Sequence, residues 1–250
     1  MAAYKEVGSL PEAVARTLKG HRVTRSMRRA SRVYTDTTDF TSLDYGDVIH
    51  VEDRYFLITS FTKEGRFGVD DQIKPWVPKV EDLATGTPYI VKLVFHETFD
   101  MSFGPYTIPC YRSPEKEARI LELVHGRPNF MQGVSLLDEC GNLIRVINPV
   151  GGIRLVKTIH QSQTSHHEYF FNELPGILAR FLESLLSIGF LHENGFRHGD
   201  IRRDHIFVDR NTGEFFWIDF DYDFYLPEKP FALDLFELDR KSTRLNSSHT

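Results

Sequence analysis

Residues 196–221 read FRHGDIRRDHIFVDRNTGEFFWIDFD and carry one aspartate at each end of a short apolar hairpin. Asp200 lies in the stretch before the first apolar segment, and Asp219 directly follows the second. The turn residues at 209–213 between the two segments are typical of a hairpin. A carboxylate that ends an apolar strand is held rigidly and suits a metal ion, whereas one in a loop can accept a proton or orient a hydroxyl. We therefore expect Asp219 to bind a metal ion and Asp200 to accept a proton or orient a hydroxyl.

Two charged residues upstream lie in apolar surroundings. Lys92 is inside YIVKLV (residues 89–94), an apolar strand that would not bury a cation without an anionic partner. Glu117 falls on the apolar face of a helix whose start is marked by Ser113 and Pro114. Taken alone, such a pair is more often a surface ion pair, contributing about 0 to 1 kcal/mol, than a phosphate clamp.

The order of these features resembles the protein-kinase-like superfamily, in its bacterial serine/threonine or atypical branches. Asp219 follows Asp200 by 19 positions, and the approach to Asp200, LHENGFRHGD, is typical of kinases. The resemblance covers residues 52–238. It rests on Val91-Lys92 in a strand, Glu117 followed by Ala-Arg-Ile-Leu in a helix, His198-Gly199-Asp200 in a loop, and Asp219-Phe220-Asp221 after a strand.

The resemblance implies a role for each of these residues. Lys92 would hold the α and β phosphates of ATP, and Glu117 would orient Lys92. Asp200 would face the acceptor hydroxyl, and Asp219 would bind magnesium across the β and γ phosphates. A hinge at 148–152 would lie beside adenine. The residues assigned to ATP are Lys92, Gly65, Gly68, Ile147, Asn148 and Val150.

Two positions depart from the family pattern. Residues 63–69, KEGRFGV, keep only Gly65 and Gly68 of a glycine-rich phosphate loop, and an ordinary hairpin turn explains them equally well. His205 stands five residues after Asp200, where kinases carry an asparagine that binds a second metal ion. Since imidazole prefers transition metals to magnesium, His205 is either a metal ligand or a packing residue.

These observations predict an α+β, two-lobed protein-kinase-like fold. Residues 48–148 would form the small lobe, an antiparallel sheet with one helix, and residues 149–239 a helical large lobe that is incomplete here. Residues 1–47 would be a basic arm and linker. Residues 240–250 resemble translated sequencing-adaptor DNA, and we interpret them as a non-native tail. We expect the 250-residue chain by itself to aggregate or pack loosely and to show no kinase activity.

The function predicted is ATP- and magnesium-dependent phosphoryl transfer to a serine or threonine hydroxyl of a protein. A small-molecule kinase of the aminoglycoside, choline or sugar type is the alternative, because the segment after Asp219 is short. A pseudokinase that binds nucleotide or a partner without turnover is a further alternative. It is favoured by His205 and by the reduced glycine loop.

The composition of the chain bears on its cellular compartment and on the classes of partner that it could bind. Thirty Lys and Arg against 35 Asp and Glu give a net charge of -5, which argues against a protein held to nucleic acid by its overall charge. The longest apolar runs, six residues or fewer, predict no membrane span, and two cysteines suit a reducing, cytoplasmic compartment. Residues 16–32 hold seven basic residues and no acid. This arm is either a solvated helix face and linker or a docking site for an acidic partner.

Overall fold

The computed structural model describes residues 4–5, 10–27, 29–66, 69–157 and 164–247. The chain divides into two compact units. The first unit contains Met1–Phe95 and Gly133–Pro149, and the second contains His96–Gln132 and Val150–Thr250. Helices and strands occur in both units, so the predicted α+β class is confirmed.

The elements are named in chain order. The strands are β1 (Tyr4–Lys5), β2 (Val33–Tyr34), β3 (Val48–Val51), β4 (Arg54–Arg66), β5 (Val69–Asp82), β6 (Pro88–Lys92), β7 (Thr98–Phe103), β8 (Tyr106–Arg112), β9 (Gly133–Leu137), β10 (Leu143–Ile147), β11 (Ile153–Arg154), β12 (Ile206–Val208), β13 (Phe215–Trp217) and β14 (Tyr222–Phe224). The helices are α1 (Glu12–Gly20), α2 (Arg22–Arg25), α3 (Pro114–Leu123), α4 (Leu174–Glu193) and α5 (Ala232–Ser247). A 3₁₀ turn occupies Phe40–Ser42, and a helical turn at His166–Glu168 with a π-helical turn at Tyr169–Glu173 leads into α4.

The first unit is built on an eight-stranded sheet in the order β1-β2-β3-β4-β5-β6-β10-β9. Side chains alternate between the two faces of each strand, so consecutive residues of β3 join different cores. Ile49 packs in the larger core with residues of β4, β5, β6 and β10, whereas Val48 packs on the other face with Leu18 of α1 and Val23 of α2. The short helices therefore cover one face of this sheet.

Residues 1–47 were predicted to be an arm and linker, and this is wrong for much of their length. Strand β2 pairs parallel to β3, and β1 pairs antiparallel to β2 at the edge of the sheet. Two basic residues of the arm are used internally, because Arg29 and Arg32 each place a guanidinium nitrogen 2.6 Å from the buried carboxylate of Asp47. Docking of an acidic partner to the exposed basic residues that remain stays a prediction.

The second unit contains two three-stranded sheets, β11-β12-β13 and β14-β8-β7, together with α3, α4 and α5. The expected large lobe was mainly helical, so these sheets are a correction. The predicted small lobe, residues 48–148, ends within one residue of the end of the first unit, but residues 96–132, including α3, belong to the second unit. The reason is that β8 pairs with β14, which ties the chain before α3 to the chain after Asp219.

The apolar stripe of α4 is rotated relative to the prediction. The sequence indicates an inward face of Leu178, Phe181, Leu182, Leu185 and Leu186, but Leu182 and Leu186 are 61% and 76% exposed. The buried stripe is Phe181, Ser184, Ile188 and Leu191, at helical spacing. Ser184 is small, and its carbonyl accepts a hydrogen bond of 2.9 Å from the Trp217 indole. The bulk of that indole therefore fills the space beside the helix.

The segment His166–Glu193 is long and apolar enough to cross a membrane, with a mean hydropathy of 1.5 over its most apolar window. Core helices of soluble proteins have the same length and composition. The buried stripe on α4 makes the segment compatible with a soluble protein.

Helix α5 differs from the prediction in length. The sequence predicts about one turn after Asp234 and then a tail without an apolar period. In the structure the helix continues to Ser247. Leu233 and Asp234 are buried near its start, and Leu233 packs with Ile108, Cys110 and Phe224.

Candidate functional site

The loop that carries Asp200 begins where α4 ends. Gly195 has a φ of +76°, in the left-handed region that glycine enters without strain, and it ends the helix. The Phe196 amide then donates to the Leu191 carbonyl at 2.8 Å, so the chain turns back toward the unit. His198 and Ile201 are buried on either side of Asp200, and they fix the loop at both flanks.

Asp234 of α5 holds this loop from within the core. Its carboxylate accepts hydrogen bonds from the backbone amides of His198 and Gly199 at 2.7 and 2.9 Å, and it lies 3.0 Å from His192 Nε2. Burial by itself would raise the pKa of Asp234, but the His192 bond, the nearby His198 and the two amides outweigh burial and hold that pKa below its usual range. The fold therefore favours the ionised form of the Asp234 carboxylate.

The role of Asp234 leads to a prediction about acid stability. Asp234→Asn should lower the free energy of unfolding at pH 7 by about 2 to 4 kcal/mol, because a neutral amide accepts more weakly and turns its own N–H groups toward the two donors. The contribution of a carboxylate with a lowered pKa is present above the unfolded pKa, about 3.9, and is lost as the pH falls through the folded value.

The measurement is denaturant unfolding of wild type and variant from pH 7 down to pH 3. The difference between them should shrink below about pH 4. Asp100→Asn, at an exposed aspartate of the same unit, is the control. An equal difference at every pH would show that the loss comes from packing rather than from the charge.

His198 is fully buried and packs inside the loop. Its ring lies edge-on to the rings of Trp217 and Phe220, with centroids 5.3 and 4.9 Å away. Burial in these surroundings lowers the pKa of His198 to about 3, so the ring is neutral. Its Nδ1 accepts from the Asp200 amide at 3.3 Å, which fixes the backbone of the aspartate itself.

Asp200 and Asp219 converge on His205. The imidazole Nδ1 lies 2.9 Å from the carbonyl oxygen of Asp200 and 3.5 Å from its carboxylate, and Nε2 lies 3.4 Å from the carboxylate of Asp219. Burial raises the pKa of Asp200, and Asp219 adds to this effect, while His205 and Arg202 oppose it. The structure thus brings together three of the residues predicted for catalysis and metal binding.

The backbone of Asp219 is unusual. Its φ of +70° lies in the left-handed region, which costs a non-glycine residue about 1 to 2 kcal/mol. The residues that follow hold this conformation. Phe220 is fully buried, and Asp221 places its carboxylate 2.6 Å from Arg112 on β8. Strain of this kind, maintained by packing, is common where a side chain must be presented to a ligand.

Arg112 is the centre of a buried charge network that sequence reasoning missed. Besides Asp221, it binds Glu97 at 2.9 Å and packs over the ring of Tyr222 at 4.0 Å, and the Tyr222 hydroxyl donates to Glu97 at 2.8 Å. Burial lowers the pKa of Arg112, but Asp221, Tyr222 and Glu97 outweigh it and raise that pKa above its ordinary value. The segment after Asp219 is therefore fixed by charge as well as by strand pairing.

The two residues predicted to bind a metal ion, Asp219 and His205, lie side by side. Only an N–H can face the Asp200 carbonyl, so Nδ1 carries a proton, and Nε2 is the ring atom that would meet a cation held beside the Asp219 carboxylate. No cluster of three or more His, Cys, Asp or Glu side chains suited to a metal occurs in the described part of the chain. Magnesium commonly binds one or two carboxylates and completes its shell with phosphates and water, so Asp219 fits it. The His205 nitrogen better fits a transition metal.

Arg202 has a partner on its own loop. Its guanidinium binds the carboxylate of Asp204 through two nitrogens, at 3.0 and 2.6 Å. This is the fork-to-fork geometry that makes arginine pairs directional. The pair stiffens the backbone between Asp200 and His205.

The remaining predicted residues are distributed over both units. Lys92 is buried at the end of β6 in the first unit, and Glu117 is buried on α3 in the second. Ile147 ends β10, and the change from the first unit to the second falls between Pro149 and Val150, beside Asn148. The pairing of Lys92 with Glu117 and the contacts of this set with adenine stay predictions.

The expected glycine loop is a hairpin. Strand β4 extends to Arg66, which pairs with Val69 of β5, and a register shift between Glu64 and Arg66 falls at Gly65. Gly65 thus lies at a strand irregularity next to the hairpin turn, and its assignment to ATP stays a prediction. Gly68 lies outside the described residues.

No protein-family model and no curated protein sequence matches this chain.

Proposed function

We propose that the chain is a protein-kinase-like phosphotransferase of two lobes, which transfers the γ-phosphoryl group of ATP to a hydroxyl with the help of magnesium. The observation that carries the proposal is the convergence of Asp200 and Asp219 on His205, with the Asp200 loop held by the buried carboxylate of Asp234. Two carboxylates so close together, one in a loop and one at a strand end, suit a proton acceptor beside a cation-binding group.

Asp200 is the group that faces the acceptor. The acceptor oxygen attacks the γ-phosphorus, its proton passes to the Asp200 carboxylate, and the bond to the leaving ADP oxygen breaks. The raised pKa of Asp200 improves it as a proton acceptor relative to an ordinary aspartate. Asp219 would hold a magnesium ion, which would supply positive charge to offset that of the phosphates.

Lys92 is the residue of the first unit that we assign to the α and β phosphates, with Glu117 as its orienting partner. Both side chains are buried. Burying a charge is costly unless it has a partner, so a buried lysine and a buried glutamate suit a role in binding better than a role in solubility. Ile147, Asn148 and Val150 are assigned to adenine and its hinge.

The acceptor proposed first is a protein serine or threonine, and one observation favours a small molecule as the second candidate. Only residues 222–231 separate Asp221 from the start of α5, and β14 takes three of them. So short a segment offers little backbone for binding an extended peptide substrate. Transfer of label from γ-labelled ATP to a generic protein substrate, compared with transfer to aminoglycosides, choline and free sugars, tests the two acceptors. Label on neither, together with intact ATP binding, would favour the pseudokinase.

His205 leads to a prediction about magnesium. His205→Asn replaces a nitrogen donor by an amide oxygen, which magnesium prefers, so ATP binding should reach half-saturation at a severalfold lower magnesium concentration. Manganese, which accepts either donor, should show a smaller change. The measurement is a titration of each ion at fixed ATP. His125→Asn, at an exposed histidine of the same unit, is the control. A change in stability with identical ion titrations would show that His205 is a packing residue.

A further inference from the structure

Lys116 is a buried cation at the base of the candidate site, and its role follows from three hydrogen bonds. It lies on α3 with a relative exposure of 7%. Its Nζ donates to the backbone carbonyls of Arg197 and His198, each at 3.0 Å, and to the carbonyl of Tyr222. A single ammonium group therefore uses all three of its donors on backbone.

The three carbonyls belong to the two segments that carry the catalytic carboxylates. Arg197 and His198 immediately precede Gly199 and Asp200, and Tyr222 is the third residue after Asp219. Lys116 thus joins the Asp200 loop to the strand that follows Asp219, although these segments are separated by the whole β12–β13 hairpin.

The same loop is also bound by a negative charge, the carboxylate of Asp234. Its carboxylate accepts the amides of His198 and Gly199, while the Lys116 ammonium takes the carbonyls of Arg197 and His198. Gly199 has a φ of +85°, and a side chain there would collide with the Tyr222 carbonyl. The loop and the strand are therefore packed backbone to backbone at this point, with a cation on one side and an anion on the other.

A lysine is a costly choice for this position. Burial lowers the pKa of Lys116, and the carboxylates of Asp223, Asp234 and Asp221 only partly compensate. Replacing a whole buried ion pair by apolar residues of similar volume is often neutral, whereas removing one buried charge alone is costly. What an apolar residue cannot supply is three hydrogen bonds that fix the spacing of two separate segments.

We propose that Lys116 is a positioning residue that sets the distance between Asp200 and Asp219, and hence the geometry in which a metal–ATP complex is held. The inference rests on the proposed function. Lys116 does not touch substrate in this account, and it acts through the backbone of the two segments.

The test compares Lys116→Met with Lys116→Gln, which keeps two neutral N–H donors, and with Lys229→Met at an exposed lysine of the same unit. The first readout is hydrogen exchange of the amides of His198, Gly199 and Asp200. Exchange of these three amides should accelerate most in Lys116→Met, less in Lys116→Gln and not in Lys229→Met, and it should accelerate more than exchange elsewhere in the unit. Loss of the three hydrogen bonds also lowers the free energy of unfolding, so the decisive comparison is local against global exchange. A merely structural role would instead accelerate exchange throughout the unit to the extent that the free energy of unfolding falls.

The second readout is ATP affinity with and without magnesium. Lys116→Met should weaken the affinity in magnesium about tenfold, because the metal–ATP complex depends on the spacing of Asp200 and Asp219, and leave the metal-free affinity unchanged. If Lys116→Met does not fold, Lys116→Gln carries the same two comparisons. Absence of magnesium-dependent binding in wild type would overturn the proposed function, but the hydrogen-exchange test of Lys116 would remain valid. Wild-type exchange and wild-type metal dependence in both variants would overturn the inference about Lys116.

Discussion

Replacing Asp200 by asparagine should lower turnover by about 10² to 10⁴ while magnesium–ATP affinity stays nearly unchanged. Asparagine matches the shape of aspartate, so the loop held by Asp234 and His198 remains in place. What is lost is the carboxylate whose pKa burial has raised and which, in the proposed mechanism, accepts the proton of the attacking hydroxyl. The measurement is single-turnover transfer from γ-labelled ATP at saturating magnesium.

The matched control is Asp204→Asn, which removes the ion pair with Arg202 on the same loop and leaves both converging carboxylates intact. It should lose far less turnover than Asp200→Asn. Because the 250-residue chain is expected to show no kinase activity, the comparison of turnover applies where wild type turns over, and ATP affinity is measured alongside turnover in every protein. Equal background turnover in wild type and Asp200→Asn, with normal affinity, would favour the pseudokinase.

Replacing Lys92 by methionine should abolish the thermal stabilisation that magnesium–ATP gives. Lys92 is 8% exposed on β6, paired in register with Arg145, and methionine occupies a similar volume without the charge. A ligand at 100 times its dissociation constant stabilises the native state by about 2.7 kcal/mol, so loss of binding is readily seen in a melting curve.

Lys79→Met is the matched control, because Lys79 is an exposed lysine on the neighbouring strand β5. Its melting temperature should rise with magnesium–ATP as in wild type. An unchanged shift in Lys92→Met would remove Lys92 from the nucleotide site.

The parts of the structure that could be predicted are those specified by local pattern. The hairpin of β12 and β13 follows from two apolar runs around a turn, and the start of α3 follows from Ser113, whose hydroxyl accepts from the Lys116 amide at 3.2 Å. The convergence of Asp200 and Asp219 follows from that hairpin. Such features depend on neighbours in sequence, which periodicity and capping report directly.

The parts that were missed depend on contacts between distant segments. Arg112 and Asp221 are 109 positions apart, and Lys116 binds carbonyls 81 to 106 positions away, which no local pattern encodes. Asp234 did offer a signal, since it is an acid between Leu233 and Leu235 at a helix start, and a charge among apolar residues requires donors. The inward face of α4 was misassigned because the apolar pattern alone does not show which side of the helix packs against the distant Trp217.

The most direct test of the central claim is a calorimetric titration of ATP into wild type and Asp219→Asn, each with and without magnesium. The account predicts one nucleotide site in wild type whose affinity rises with magnesium. In Asp219→Asn the magnesium-free affinity should be retained and the gain from magnesium lost, because the strained backbone at that position presents the carboxylate to the ion. Equal gains from magnesium in both proteins, or no ATP binding in wild type, would contradict the account.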